Sequence, residues 1–172
     1  MLTPAHIASS YLLSQVPCLF GQPLSSYDVT TVILAGNVLD LDFLLGYLRN
    51  KKGDDHHNFV THTPLFVFVV WTICLLLFPH IFSSLLWMLI FVSAMIHLGL
   101  DDIGYWFCRF EWQKISKYPQ INWLYPFAPF QSRKYHGTNR SLLKDYFQKA
   151  RVNVFLEVTL IFSAIVVFLT IR

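Results

Sequence analysis

Three runs of this 172-residue chain contain no charged side chain: Pro64–Phe78 (PLFVFVVWTICLLLF), Ile81–Ile96 (IFSSLLWMLIFVSAMI) and Val158–Ile171 (VTLIFSAIVVFLTI). They are apolar all round, not along one stripe, and so predict helices surrounded by apolar material. Crossing a bilayer takes roughly 20 such residues, with a lower limit near 17. The first run reaches that length only when extended from Thr63 to His80. Two earlier segments are less uniform. HIASSYLLSQVPCLF is short and broken by Pro17, and TTVILAGNVLDLDFLLGYL is interrupted by Asp40 and Asp42. Segments 5–20 and 30–48 therefore predict helices packed half-buried on the others, with crossing of the bilayer left open. The expected fold is all-α: an integral membrane helical bundle with three to five membrane-embedded helices. With no internal repeat and no low-complexity stretch, residues 1–172 read as a single domain.

Composition supports this reading. Hydrophobic residues make up 55% of the chain and charged residues only 13%, against about 25% charged in soluble domains. The N-terminus lacks the basic stretch and small-residue cleavage site of a secretory signal. Lys and Arg gather at Arg49–Lys52, Arg109–Lys117 and Arg133–Arg151, while the connection FPHIFSS between the first two apolar runs has none. The positive-inside rule then places the basic loops in the cytoplasm and that connection outside, with Arg172 as one exception. The loops interleave their positive charge with Trp and Tyr, which suits lipid headgroups and an interfacial aromatic belt; no nucleic-acid partner is expected. Cys18, Cys74 and Cys108 are isolated and read as packing residues. The chain has no GxxxxGK[ST], GxGxxG or GxSxG string, so nucleotide binding and serine hydrolysis lack support.

Candidate chemistry lies where His and Asp abut the apolar runs. Ionisable groups at the edge of a bilayer are costly unless they pair, face water or bind something. Imidazole with carboxylate is a common donor mix for Zn²⁺ and similar ions. His97 and Asp101 are four apart and share a helix face. Asp102 points about 100° away from Asp101 and reads as a solvated helix-end residue. His57 and His62 are five apart, which does not suit one helix face. Thr63 as N-cap and Pro64 at the first helical position put them in a loop entering the helix. Asp40 and Asp42 share a side only in extended or turn backbone, and two carboxylates among apolar residues are expensive without a cation. His6 alone reads as a histidine at a helix start. If the first segment runs outward and the second returns, however, His6 joins the others in one cytoplasmic layer. His80 falls on the opposite side, His136 on the near side, and Glu157 within the last helix. Glu157 is open between pairing with Lys149 or Arg151 and facing the interior as a general base.

The motifs PAHIAS (Pro4–Ser9), LDLD (Leu39–Asp42), HNFVTHT (His57–Thr63), HLGLD (His97–Asp101) and YPF (Tyr125–Phe127) occur in an order that resembles the YdjM-like inner-membrane proteins. The likeness covers most of residues 1–130; the last 40 residues match only as a further apolar helix. Leu39 stands where the family pattern has Pro, Asn58 where it has Arg, and Thr63 where it has Ser. These changes keep every candidate ligand, but the missing Arg weakens any role in holding an anionic group. The resemblance implies an inner-membrane, metal-dependent hydrolase. The expected metal ligands are His6, Asp40, Asp42, His57, His62, His97 and Asp101, holding one or two divalent ions, with zinc the first choice. Asp42 is the candidate proton acceptor. The partner is the lipid bilayer, and the expected substrate is an ester or phosphoester, such as a phospholipid, whose phosphate Lys51, Lys52, Arg133 and Lys134 would hold. The alternative is a non-catalytic metal-binding membrane protein, a sensor or assembly partner.

Overall fold

The computed structural model describes residues 2–41, 60–109, 121–127 and 151–171. The described residues are helical and contain no strand. Among the described residues there are five α-helices: α1 (Thr3–Gln15), α2 (Ser26–Asn37), α3 (Pro64–Leu77), α4 (Ser84–Arg109) and α5 (Arg151–Thr170). Short 3₁₀ turns at Val16–Phe20, Val38–Leu41 and Val60–His62 join or precede them.

Local chemistry sets the helix boundaries. Pro17 falls in the 3₁₀ turn after α1, and Gly21 closes that turn at φ 72°, a left-handed conformation that suits glycine. A capping box starts α2: Ser25 Oγ accepts the Asp28 N–H at 3.2 Å, and Asp28 Oδ2 accepts the Ser25 N–H at 3.3 Å. Thr63 caps α3 by accepting the Phe66 N–H at 3.2 Å, and Pro64 opens the helix, as the sequence predicts. The far end of α3 differs from expectation. The helix stops at Leu77 after 14 residues, about 21 Å at 1.5 Å per residue, instead of running to His80. Phe78 precedes Pro79 and has left the α region (φ −132°, ψ 47°), as a residue before proline tends to do.

The helices alternate in direction. Antiparallel packing of α3 on α4 is fixed by the Trp71 indole, which donates to the Trp87 carbonyl at 2.8 Å, and by the Trp71 and Phe91 rings 5.0 Å apart. Ser10 of α1 meets Ser93 of α4 while His6 meets Asp101, so α1 also runs against α4. Leu2 lies opposite Glu157, and Tyr11 opposite Phe168, so α5 runs alongside α1. The starts of α1, α3 and α5 therefore share a layer with the end of α2 and the later half of α4. One apolar cluster, Leu39, Val67, Ala94, Leu98 and Ile121, lies beside this layer; another, Val32, Leu86 and Leu89, lies further along the bundle.

Among the described residues two helices are long and apolar enough to cross a membrane, over Ser84–Phe107 and Arg151–Thr170. On α5 the exposed side includes Phe155, Val158, Phe162, Val166 and Leu169; α3 likewise exposes Phe68, Ile73, Leu76 and Leu77. In water such contiguous apolar surface would be an aggregation liability.

A small polar seam ties three helices together. Ser93 Oγ lies 2.9 Å from Ser10 Oγ and 3.2 Å from the Val32 carbonyl. Gly36 of α2 sits against it, and a Cβ there would fall 2.2 Å from Ser93 Oγ and 2.3 Å from Ser10 Oγ. Gly36→Ala is accordingly expected to destabilise the protein by about 1–3 kcal/mol, the usual cost of overpacking. Removing both hydroxyls (Ser10→Ala with Ser93→Ala) in that background is expected to recover part of the loss, because the remaining Ser10 Cβ contact is 3.3 Å. Thermal unfolding in detergent measures both effects.

Candidate metal centre

Each side chain of the centre is placed by a local feature. His6 lies in the first turns of α1, and its carbonyl accepts the hydroxyls of both Ser9 and Ser10 at 2.9 Å. Asp40 leaves the bundle face on the 3₁₀ turn that ends α2, and His62 closes the turn before the Thr63 cap. His97 and Asp101 stand one turn apart on α4. Ser10, Gly36 and Ser93 are each four residues from His6, Asp40 and His97 respectively. The polar seam is thus a layer one helical turn away, and it fixes the spacing of the three helices that carry those ligand candidates.

Asp101 is central. Its Oδ1 lies 3.0 Å from His6 Nε2, and its Oδ2 lies 3.3 Å from His97 Nε2 and 4.0 Å from His62 Nε2. Asp40 Oδ1 approaches the same His97 Nε2 at 3.3 Å. The His6 and His97 rings stack with centroids 4.0 Å apart, and the His62 ring centroid is 5.8 Å from that of His97. Two sets of donor atoms, His6–His97–Asp101 and Asp40–His62–His97, each fall within 4.8 Å of one another. They share His97, so they describe one pocket.

Burial sharpens the chemistry. His6 and His97 are 1% exposed, His62 is fully buried and Asp101 is 3% exposed. Only Asp40 opens outward, with its side chain 24% exposed. Asp40 lies outside both candidate spans. Burial pushes its carboxyl up, but contact with His97 and the charge of that ring outweigh it and hold Asp40 below its ordinary value. Neither ring nitrogen of His6 or of His97 makes a hydrogen bond of acceptable geometry, although each Nε2 lies close to a carboxylate. Buried polar atoms are normally hydrogen-bonded, and exceptions call for an explanation such as an ion. Imidazole nitrogens and carboxylate oxygens around one point form a donor set that suits zinc or a similar divalent ion. The residues present fit such a group.

The seven ligand candidates divide clearly. His6, Asp40, His62, His97 and Asp101 come together. Asp42 and His57 lie outside the described residues, as do His136, Lys149 and the phosphate candidates Lys51, Lys52, Arg133 and Lys134. His80 is exposed in the turn between α3 and α4, away from the centre. Asp102 corrects the expectation of a solvated helix end: it is fully buried. Its Oδ2 accepts the Trp123 indole N–H at 2.8 Å, and its Oδ1 lies 3.4 Å from the Ile121 amide. The turn of about 100° away from Asp101 is real, but it leads to another chain segment, not to water. No short-range signal announced that partner, about twenty residues downstream. Glu157 faces the interior and takes the backbone N–H of Leu2.

Described residues that are helical throughout, two apolar helices of membrane-crossing length and a buried histidine–carboxylate cluster fit the class of helical membrane proteins. The chain belongs to the YdjM inner membrane protein family, whose model matches residues 1–172. No curated protein and no solved structure matches it.

Replacing Asp102 by Leu is expected to cost about 1.5–3 kcal/mol, the range for a hydrogen bond to a charged group. Asp102→Asn keeps one acceptor oxygen for Trp123 and is expected to lose less. Thermal unfolding of the two variants beside the parent protein makes the comparison.

Proposed function

We propose that the protein is a membrane-bound, metal-dependent hydrolase whose centre lies at the cytoplasmic face of a multi-pass bundle. The observation that carries this reading is the convergence of buried imidazoles with carboxylates: the donor atoms of His6, His97 and Asp101, and likewise those of Asp40, His62 and His97, lie within 4.8 Å of one another. His6, Asp40, His62, His97 and Asp101 would hold a divalent ion, zinc being the first choice, with Asp42 and His57 as further ligands. A bound divalent ion supplies Lewis acidity and brings the pKa of water to about 7. Asp101 sets one oxygen beside His6 Nε2 and the other beside His97 Nε2. If Asp42 is not used as a ligand, it would take up the proton released when water attacks. Asp40 marks the opening, since it alone among the described ligands reaches solvent.

The membrane reading extends to three to five embedded helices. α4 and α5 have the length to cross. α3 adds a third, shorter hydrophobic helix, and α1 and α2 pack against α4. The positive-inside rule puts the shared layer at the cytoplasmic surface. That level suits an ester or phosphoester of a lipid as substrate, with Lys51, Lys52, Arg133 and Lys134 positioned in sequence to hold a phosphate. Near-complete burial of the ligands also suits a non-catalytic metal-binding protein, and exchange of a coordinating water separates the two readings.

Detergent-purified protein is expected to carry zinc or a related divalent ion. His97→Ala and Asp101→Ala are expected to lose most of it by elemental analysis. Equal metal content in the parent and both variants would remove the centre. Where metal is lost, hydrolysis of phospholipid vesicles or of a p-nitrophenyl phosphodiester, with and without chelator, tests the reaction; retention of metal with no hydrolysis favours the non-catalytic reading.

A further inference from the structure

The start of α1 has no capping device of its own. Its N-cap is Leu2, which makes no side-chain cap hydrogen bond, and its first turn has no acidic residue. The first N–H groups of any helix lack partners within the helix. Leu2, Thr3 and Pro4 are exposed at this end of α1, and burial begins with the next two residues, Ala5 and His6, each 1% exposed. The acceptor comes from the opposite end of the chain. Glu157 Oε1 takes the Leu2 N–H at 2.6 Å across 155 positions. Glu157 is 5% exposed and shares its buried face of α5 with Asn153, one turn earlier, whereas Arg151 is exposed. A carboxyl group at this point also meets the favourable end of the helix dipole. Leu2 is one turn before His6, so whatever holds the Leu2 amide sets where the His6 ring lies.

We propose that Glu157 is a positioning residue: its carboxyl group holds the start of α1 from α5 and so keeps the His6 imidazole against Asp101 and His97. The placement of His6 is independent of metal; only its effect on metal affinity rests on the function proposed above. Polar groups behind metal ligands commonly govern affinity by fixing ligand orientation.

Two variants of the full chain in detergent test the assignment. Glu157→Met keeps the length of the side chain and removes the acceptor, while Glu157→Gln keeps an acceptor oxygen. Hydrogen exchange over residues 2–10 and carbethoxylation of His6 by diethyl pyrocarbonate are followed by mass spectrometry. In Glu157→Met both are expected to speed up about tenfold, as for a lost helix cap; Glu157→Gln is expected to stay near the parent. Zinc affinity is expected to fall about tenfold or more in Glu157→Met and to be restored in Glu157→Gln. Unchanged exchange and labelling in Glu157→Met, or equally fast exchange in both variants, overturns the proposal. If Glu157→Met fails to fold, Leu2→Pro behind an N-terminal tag removes the same donor from the other side, and the same readouts decide. A parent protein that takes up no zinc sinks the metal reading, while exchange and labelling still decide the role of Glu157.

Discussion

A carboxylate shut away from water must be stabilised by whatever surrounds it, and in this fold Asp101 draws that support from two helices and a turn. His6 comes from α1, His97 from α4 itself and His62 from the turn before α3, while Asp40, at the end of α2, reaches the same His97 ring. In a low-dielectric interior an unsatisfied ionic group costs several kcal/mol, so this arrangement constrains the packing more than any single apolar contact does. The alternating helix directions follow from it. Four chain segments can meet at one level only if α1 and α3 begin where α2 ends and α4 descends.

The polar seam of Ser10, Gly36 and Ser93 supports this level from one turn away. Lipid-facing surfaces provide little force to press helices together, since lipid tails are as apolar as leucine; small residues and interhelical hydrogen bonds take over. Gly36 permits the close approach, and the serine hydroxyls use it. Aromatic packing of Trp71 and Phe91 does the corresponding work for α3, the helix whose start carries His62 close by.

Much of this was legible in the chain. Uncharged runs marked α3, α4 and α5, and the Thr63–Pro64 pair marked where α3 begins. With the first segment running outward and the second returning, alternating directions and the spread of basic loops place His6, Asp40, Asp42, His57, His62, His97 and Asp101 in one layer, and the five of these among the described residues meet there. Other features lay beyond local pattern. Proline at 79 cut α3 short through its effect on Phe78. Asp102 looked like a surface residue because its partners, Ile121 and Trp123, are distant in sequence. Glu157 was visible as an oddity inside an apolar helix, yet its partner was a backbone amide at the other terminus, which no side-chain pattern encodes.

Consecutive residues Asp101 and Asp102 grip different things: one the histidines, the other the indole of Trp123. Both are borne on the same turn of one stiff rod. The short segment around Trp123 is therefore mechanically geared to the histidines, and a twist of α4 that loosened one grip would disturb the other.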